Sequence, residues 1–374
     1  MNSSMSTFSI TQASCADDYD PNSMPVAKAR AFIHQFLDPV TGVVRVPVRE
    51  ALGRVLAAEV LSPVNVPAHR NSAMDGWALR GEDLKVDGET ALTEIGASFA
   101  GKPFSRSVGA GECVRIMTGG VVPEGADTVV MQERARVNGK SIAFVAGQRT
   151  GQNVRQAGED LKRGSVAIPK GRVVRPAELG LIASLGVGEV AVYRRLRVAF
   201  FSTGDELKSV GTSLAEGEIY DSNRYTLYGM LHRLGCEVLD MGVVADDPKL
   251  LERAFHEAAS NADVVITSGG VSVGEADFVK GMLARLGEVV FWKIAMKPGR
   301  PLAYGKIGAA HFFGLPGNPV SVMVTFYQFV RDALLVLAGV EPVEPPPTFT
   351  AACSARLKKA PGRTEFQRGI VSRS

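Results

Sequence analysis

The sequence lacks the closely spaced cysteines and histidines that bind structural zinc. Its five histidines form no HxxxH or HxH pair, and its four cysteines form no CxxC pair: Cys15, Cys113, Cys236 and Cys353 are scattered along the chain. Because zinc sites draw their ligands from such short-range pairs, no zinc site is expected. Scattered thiols are typical of proteins from the reducing cytosol, so a cytoplasmic location is predicted.

Long apolar runs and a strong net charge are also missing. No apolar run reaches the length of about 18 residues that suggests a membrane span, and the N-terminus shows no basic-then-apolar signal. The formal net charge is only +3 over 374 residues, and no stripe of Arg and Lys alternates with aromatic residues. These absences predict a protein with neither a membrane nor a nucleic acid as its partner.

Glycine and proline, by contrast, are plentiful. The chain has 40 glycines and 20 prolines, which predicts many turns and a β-rich component. A length of 374 residues is too great for one ordinary domain and favours about two to four. Residues 1–23 are rich in serine, asparagine and aspartate without periodicity, and we expect them to form a disordered leader.

From about residue 195 onward, short apolar strands alternate with helical patterns. Strands are predicted at 198–202, 238–243, 264–267 and 289–292, and helices at 223–234, 248–260, 277–286 and 319–338. Such alternation builds a mostly parallel sheet with helices on both faces, which is a three-layer α/β domain. Ligands of this architecture bind at the carboxyl ends of the strands.

The stretch 263–277, DVVITSGGVSVGEAD, is an apolar strand that runs into a glycine-rich turn before a predicted helix. Backbone N–H groups and the helix dipole favour a phosphate at such a turn, and carboxylates beside a phosphate imply Mg²⁺ between them. The alternative is a tight turn whose glycines are only steric, and the stretch alone does not decide between the two. Its candidate residues are Ser268, Gly269, Gly270, Ser272, Glu275 and Asp277.

Other predicted strand ends carry charged or glycine-rich loops as well. Glu206 follows the first strand, Asp246 the second, and Lys293 and Lys297 the fourth, while the loop GLPGNP at 314–319 precedes the last helix. Any one of these loops is weak evidence. Structural turns alone would not place so many functional residue types on one edge of a sheet, so the sequence predicts a nucleotide-and-metal site there.

The first half of the chain predicts helices interrupted by short strands. Helical spacing begins at Pro25, and a second short helix is expected over 48–56. Residues 81–150 are predicted to form short strands joined by glycine-rich turns, with a hairpin at Asn138-Gly139. Loops in this half carry the candidate ligand contacts Asp75, Thr118 and Arg155. An ordinary turn explains the Thr118 loop equally well, and a β-turn or a solvated loop is the commoner explanation for the other two.

Together these loops resemble the motifs of the molybdopterin molybdenumtransferase family, the MoeA proteins to which the E domain of gephyrin belongs. The motifs are NSAMDGWA at 71–78, RIMTGG at 115–120, NVRQAGED at 153–160, STGDEL at 202–207, ITSGGVSVGEAD at 266–277, KPGRP at 297–301 and GLPGNPVS at 314–321. They follow the order of the family and cover the chain from about residue 25 to its end, which argues against chance similarity.

The resemblance implies a multidomain α/β plus β protein. A split helical domain at 24–69 and 153–194 would enclose an inserted β domain at 70–152. An α/β molybdopterin-binding domain would follow at 195–341, and a short C-terminal β domain at 342–374. The fourth domain of the family continues past the point where this sequence stops, so we expect that domain to be truncated. Either the sequence itself is truncated, or molybdate binding is weakened.

The resemblance also implies an activity. Family members bind adenylylated molybdopterin, cleave its pyrophosphate link with Mg²⁺, insert molybdate and release AMP. They act as homodimers whose active site is shared between the subunits, and the adenylyltransferase of the same pathway is a further expected partner.

Position by position, the resemblance assigns roles to individual residues. The catalytic residues are Asp75, Glu206, Asp246 and Asp277, of which the last three are the candidate metal ligands. The substrate-binding residues are Thr118, Arg155, Ser268, Gly269, Gly270, Ser272, Lys293, Lys297, Pro316, Pro319 and Arg368. Molybdate is a dianion and needs fixed cations, which lysine and arginine supply.

Two other functions are weighed against this one. Adenylylation of molybdopterin with ATP would use the α/β domain alone, but the family leaves that step to a separate protein or a fused domain. A non-catalytic, gephyrin-like scaffold would need long linkers or partner-binding extensions, whereas this chain has only a short leader. The transferase is therefore the predicted function.

Overall fold

The computed structural model of the protein describes residues 23–269, 277–357 and 361–372, with the backbone alone at 277–280 and 291. The chain divides into two compact units. The larger unit comprises Met1–Ala58, Lys170–Pro176 and Glu189–Ser374, and the smaller unit comprises Glu59–Pro169 and Ala177–Gly188. Gly270, Ser272 and Glu275, which were predicted to contact the substrate or a metal, lie outside the described residues.

The helices are α1 (Val26–His34), α2 (Pro176–Ser184), α3 (Ser222–Arg233), α4 (Pro248–Asn261), α5 (Asp277–Leu286), α6 (Pro319–Thr325) and α7 (Arg331–Leu337). The strands are β1 (Val43–Pro47), β2 (Val60–Leu61), β3 (Asn71–Ser72), β4 (Gly76–Leu79), β5 (Thr90–Ser98), β6 (Glu112–Ile116), β7 (Thr128–Met131), β8 (Ala135–Asn138), β9 (Ser141–Phe144), β10 (Val154–Arg155), β11 (Val166–Ile168), β12 (Glu189–Tyr193), β13 (Arg197–Thr203), β14 (Leu207–Lys208), β15 (Ile219–Tyr220), β16 (Glu237–Val244), β17 (Val264–Ser268), β18 (Gly287–Lys293), β19 (Met296–Lys297), β20 (Pro301–Ile307), β21 (Ala310–Leu315) and β22 (Thr364–Glu365).

The larger unit is built around a six-stranded sheet in the order β16-β13-β17-β21-β20-β18. Strands β16, β13, β17 and β21 are parallel, and β20 is antiparallel to both of its neighbours. Strand β18 therefore runs in the same direction as the parallel strands. A mixed α/β fold is thus confirmed, with one strand reversed.

Apolar side chains alternate between the two faces of this sheet, which is why both faces are covered. On β13, Val198 and Phe200 join one buried cluster with side chains of α3 and of the last helix. Ala199 and Phe201 point to the other face and join a cluster with α4, including Phe255. Burying each large side chain of this kind stabilises the fold by roughly 1.5–3 kcal/mol, so the alternation accounts for three layers.

Helix starts follow from capping residues in the sequence. The Asp247 carboxylate accepts hydrogen bonds from two backbone N–H groups in the first turn of α4, and Pro248 occupies its first position. Asn318 and Pro319 play the same parts at α6. Because these side chains satisfy N–H groups that have no partner within the helix, each stabilises the helix start by about 1 kcal/mol.

The smaller unit contains a second six-stranded sheet, in the order β7-β4-β6-β5-β9-β8. Its neighbours are antiparallel except for the parallel pair β5 and β6. Strand β4 shows the expected alternation, because Trp77 and Leu79 belong to one buried cluster and Ala78 to another. The predicted hairpin at Asn138-Gly139 is confirmed as the connection of β8 and β9.

One local prediction was wrong, and one hairpin was not predicted. The helix expected over 48–56 is only one 3₁₀ turn, Val48–Ala51, after which Val55 and Leu56 form bridges to extended segments. The hairpin of β20 and β21 was missed. Its strands carry an almost unbroken set of buried residues on both faces, so they show no alternation that would distinguish a strand from other buried segments.

Within the described residues, one helical stretch is long and apolar enough to cross a membrane by length and composition. It runs over Pro319–Leu337 with a mean hydropathy of 1.5, and half of this apolar stretch is buried inside the fold. Val322, Phe326 and Val330 pack in the core of the larger unit. A buried core helix of this kind passes the same test, so the stretch is weak evidence for a membrane span.

His311 is buried on β21 against aromatic side chains. Its ring stacks on Tyr304 with the centroids 6.4 Å apart, and Nδ1 lies 3.4 Å from the Tyr304 hydroxyl. The pKa of His311 is lowered from 6.5 to about 4, mainly by burial and to a lesser extent by Lys306, while Asp38 and Asp263 act in the opposite sense. The imidazole is therefore neutral in the folded protein at neutral pH.

We expect His311 to make the fold sensitive to acid. Its pKa is lower in the folded than in the unfolded chain, so its contribution is complete above pH 6.5 and is lost as the pH falls towards about 4. The loss should be about 3 kcal/mol. Urea unfolding of wild type and His311→Phe at pH 7 and pH 4 measures it. The gap in unfolding free energy between the two proteins should change by that amount, and a gap independent of pH contradicts the assignment.

Candidate active site

The carboxyl ends of five strands of the larger unit lie along one edge of its sheet. Because β13, β16, β17, β21 and β18 run in the same direction, the loops that follow them meet at this edge, and β20 begins there. Glu206 and Asp246 follow β13 and β16, whereas Lys293 ends β18. The predicted collection of polar loops on one edge is therefore confirmed for the described residues.

Gly269 stands at the centre of this edge, directly after β17. Its φ is +96°, and an added Cβ would lie 2.5 Å from the carbonyl oxygen of Thr203 at the end of β13. Its N–H donates to the carbonyl of Leu315 at the end of β21, at 3.1 Å. Only glycine permits both the backbone conformation and the close approach. Since that N–H is already engaged, the role of Gly269 is close approach rather than N–H donation.

Asn223, in the first turn of α3, holds this centre together. Its Nδ2 donates to the Ser268 hydroxyl at 2.9 Å and to the Gly317 carbonyl at 2.6 Å. One side chain thereby connects α3, the end of β17 and the turn into α6. Asn223 was not predicted as a site residue from the sequence. A usable signal was present in Asp221, a cap-type residue whose carboxylate accepts from Arg224 N at 3.2 Å and so fixes the start of α3.

Several polar atoms beside Gly269 are buried and have no hydrogen-bond partner among the described residues. They are the Ser202 hydroxyl, the Thr203 hydroxyl and Oδ1 of Asn223. A buried polar group costs free energy unless it is hydrogen-bonded. Their gathering at one strand-end centre suits a polar ligand, which could complete their hydrogen bonds.

The acidic residues lie at the β13–β16 end of the edge. Oδ1 of Asp205 accepts from Asp246 N at 3.2 Å, so the loops after the two strands touch. The Glu206 carboxylate lies against Gly204, where an added Cβ would come within 2.6 Å of Oε2. In the part of the chain that the structure describes, no three acidic, histidine or cysteine side chains cluster as metal ligands.

Magnesium is usually held by one or two carboxylates together with substrate phosphates. Glu206 and Asp246 are two such carboxylates on touching loops. Asp277, the third predicted ligand, opens α5, but its side chain lies outside the described residues.

The basic residues lie at the opposite end of the edge. Lys297 belongs to β19, which pairs in parallel with β22 so that Lys297 is opposite Glu365. Phe366 N also donates to the Lys297 carbonyl at 2.9 Å. The tail segment that carries Arg368 is thereby attached next to Lys297. Four strand positions separate β13 from β18, which at about 4.8 Å per strand puts the acidic and basic ends about 19 Å apart.

Two prolines shape the turn between β21 and the last helix. Pro316 follows β21 directly, and Pro319 is the first residue of α6. The Gly317 carbonyl between them accepts the hydrogen bond from Asn223. The predicted role of these prolines in the turn is therefore consistent with the backbone path.

The smaller unit brings Asp75 and Thr118 together. Oδ1 of Asp75 accepts from Thr118 N at 2.7 Å and from the Thr118 hydroxyl at 2.8 Å. The Thr118 N–H lowers the pKa of Asp75 most, followed by the Thr118 hydroxyl, with Arg115 adding to the effect. Asp75 is thus an ionised, oriented carboxylate at neutral pH.

Arg155 is tied down within its own motif. It forms ion pairs with Asp160 and, at 3.5 Å, with Glu159. The hydrogen bond that Arg155 donates to the Asp160 carboxylate is the main reason why the pKa of Arg155 is raised. The guanidinium therefore organises the NVRQAGED loop, whatever else it contacts.

Comparison with known proteins identifies relatives over most of the chain. A model described as "MoeA N-terminal region (domain I and II)" matches residues 24–186, and one described as "Probable molybdopterin binding domain" matches residues 199–336. A molybdopterin molybdenumtransferase from Haemophilus influenzae is 50% identical over 323 residues, covering 86% of this chain and 80% of the relative. Gephyrin from Dictyostelium discoideum is 32% identical and covers 85% of this chain and 50% of that protein.

Solved structures agree with the sequence comparison. A molybdopterin biosynthesis MoeA protein from Pyrococcus horikoshii superposes with a TM-score of 0.75 at 29% identity, covering 86% of this chain and 80% of that one. A second molybdopterin biosynthesis MoeA structure from the same organism gives a TM-score of 0.71 at 33% identity, covering 85% of this chain and 81% of that one. The similarity therefore extends over both units of the chain.

Proposed function

This chain belongs to the molybdopterin molybdenumtransferase family and is a transferase of molybdenum cofactor biosynthesis, and on that premise we propose that it inserts molybdate into adenylylated molybdopterin with Mg²⁺ and releases AMP. The observation that carries the proposal is the order of charges along the strand-end edge. Carboxylates stand at one end, lysines at the other, and the Gly269 centre lies between them. An elongated, multiply anionic substrate fits such an edge.

The acidic end is suited to the pyrophosphate link. Glu206 and Asp246, with Asp277 as the third candidate, would hold Mg²⁺, which supplies neutralisation of the charge that develops as AMP leaves. Ser202, Thr203 and Asn223 would hydrogen-bond the phosphates or the polar edge of the pterin. Ser268, Gly269, Gly270 and Ser272 would contact the substrate at the centre of the edge.

The basic end is suited to molybdate. Lys293, Lys297 and Arg368 would supply fixed positive charge for the dianion. The pairing of β19 with β22 supports this assignment, because it attaches the Arg368 segment to the Lys297 strand. Pro316 and Pro319 would fix the turn that faces the substrate.

We assign the finer layout and the assembly on the same premise. The four parts would be the split helical domain, the inserted β domain, the α/β domain and the C-terminal β domain. Asp75, Thr118 and Arg155 would serve the active site of the partner subunit in a homodimer. The protein would work in the cytoplasm and receive its substrate from the adenylyltransferase of the pathway.

The exposed face of α3 supports self-association. Tyr225 and Tyr228 are about half exposed, at 55% and 48%, and Leu239 on the neighbouring edge strand is 40% exposed. Aromatic side chains grouped on a surface are typical of interfaces.

Substitution of both α3 tyrosines by aspartate should therefore shift the protein from dimer to monomer, because charges would be buried at an apolar contact. Sedimentation equilibrium measures the shift. Val86→Asp, at an 88% exposed position in the smaller unit, is the matched control and should remain dimeric. A wild-type protein that is monomeric at all concentrations would refute the dimer.

The direct test of the activity uses purified protein, adenylylated molybdopterin, Mg²⁺ and molybdate. Release of AMP that depends on both ions is the expected result. If folded protein releases no AMP, the proposed transferase reaction is contradicted. Consumption of ATP with unmodified molybdopterin would favour the adenylyltransferase instead.

A further inference from the structure

A small cavity lies at the edge of the larger unit's sheet where the strands begin, opposite the strand-end site. It is bordered by Arg195 and Leu196 before β13, by Gly235 and Cys236 before β16, by residues 53–55 and by the last turn of α7. Its volume is about 30 Å³. A water molecule needs roughly 10–15 Å³ by this kind of measure, so the cavity can hold a small inorganic ion but no nucleoside.

Three arginines border this cavity, and two of them form no ion pair among the described residues. Arg194 forms a two-pronged ion pair with Asp263, with N–O distances of 2.7 and 2.6 Å. Arg54 donates one hydrogen bond to the Tyr193 carbonyl at 2.8 Å, and Arg195 donates one to the Gly235 carbonyl at 2.9 Å. A guanidinium has five N–H donors, so most donors of Arg54 and Arg195 are left for other groups.

The two arginines also stand in an unfavourable electrostatic arrangement. Burial lowers the pKa of Arg54 and the positive charge of Arg195 lowers it further, with only Glu50 acting in the opposite sense. Like charges near one another in a partly desolvated place cost free energy unless a counter-ion lies between them. The apolar side of the cavity, formed by Leu334 and Ala338, would strengthen the attraction to such an ion.

We propose that this cavity binds one tetrahedral inorganic oxyanion, of the class of phosphate, sulfate and molybdate, between Arg54 and Arg195. The planar fork of a guanidinium matches the oxygen edge of such an ion, and two forks can hold one ion from two sides. The site is distinct from the strand-end site, because the seven residues of β13, a length of about 23 Å, separate the two edges. Its ion would join residues 53–55 to the starts of two strands.

The competing explanation is that both arginines serve only the backbone. Helix α3 ends just before Gly235, and a cation near a helix C-terminus is favourable without any anion. The two explanations differ in whether removing one arginine changes the affinity for an added anion.

Isothermal titration with inorganic phosphate or sulfate, in chloride buffer of constant ionic strength, tests the proposal. The Lys297→Ala protein is used so that the strand-end site contributes less. One phosphate or sulfate should bind, and Arg195→Gln in the same background should weaken it by about tenfold or more, the value of one charge-assisted bond. Arg45→Gln, which removes an exposed arginine from β1, is the matched control and should bind like the parent.

Further measurements identify the source of the anion and show whether each variant is folded. Arg54→Lys keeps the charge but removes the fork, so it should also weaken binding, and thermal unfolding shows whether each variant is folded. AMP should not compete with phosphate, and competition would mean that the phosphoryl group of a larger ligand binds instead.

Equal affinity in the Arg195→Gln and Arg45→Gln proteins, or no binding in either, would overturn the proposal. AMP release should be unchanged by Arg195→Gln, which separates this test from that of the transferase.

Discussion

Replacing Gly269 by alanine should lower the rate of AMP release by about a hundredfold or more. The added methyl would lie 2.5 Å from the Thr203 carbonyl oxygen, a backbone atom at the end of β13. The methyl is attached directly to the backbone after β17, so neither group can move aside as the end of a flexible side chain would. The φ of +96° is an additional source of strain for any residue with a Cβ. One strand end must therefore shift, and displacements of about 1 Å at an active site cost about that factor.

The matched control is Gly180→Ala. Gly180 lies within α2, where an added Cβ meets no atom within 4 Å, and alanine is favoured over glycine in a helix. That variant should keep full activity and equal or greater stability. Circular dichroism and urea unfolding would show whether Gly269→Ala remains folded. A folded Gly269→Ala protein with wild-type activity would mean that the centre of the edge does not contact the substrate.

Substitution of Glu206 by glutamine should also reduce AMP release by about a hundredfold, and it should raise the Mg²⁺ concentration needed for half-maximal rate. The change keeps the shape of the side chain but removes the negative charge that would hold the cation. A metal that stabilises charge in the transition state contributes several kcal/mol, so weakened binding has a large effect. Because the defect is in metal binding, a large excess of Mg²⁺ should restore part of the activity.

Glu216→Gln is the control for that experiment. Glu216 is an exposed carboxylate in the loop between β14 and β15, on the same stretch of chain. It should have no effect on either the rate or the Mg²⁺ requirement. A Glu206→Gln enzyme whose Mg²⁺ requirement is unchanged would remove Glu206 from the metal site and leave Asp246 and Asp277 as the candidates.

Local signals allowed much of the α/β half to be predicted. Asp247-Pro248 and Asn318-Pro319 mark helix starts, and the apolar run that begins Val264–Ser268 marks an inner strand of the sheet. These features depend on neighbours in the chain, namely on caps, fixed proline geometry and β-branched side chains. They therefore appear in the sequence at the place where they act.

Other features could not be predicted because they depend on distant parts of the chain. Asn223 contacts Ser268 and Gly317, which are 45 and 94 residues away in the chain. The sequence around Asn223 does not indicate either contact. The β20–β21 hairpin is buried on both faces, so its sequence lacks the alternation of a half-exposed strand.

The sequence by itself determined the family, the strand–helix alternation and the residue types that follow each strand. All of these depend on the order of residues within short stretches of the chain. Only the tertiary structure decided how those loops are arranged in space. Strand order in a sheet is set by the packing of residues far apart in the chain, and it placed β13 and β16 at one end and β18 at the other. That order separates the carboxylates from the lysines, with Gly269 between them. The same packing brought Arg54 next to Arg195, which the spacing of the two residues in the chain could not reveal.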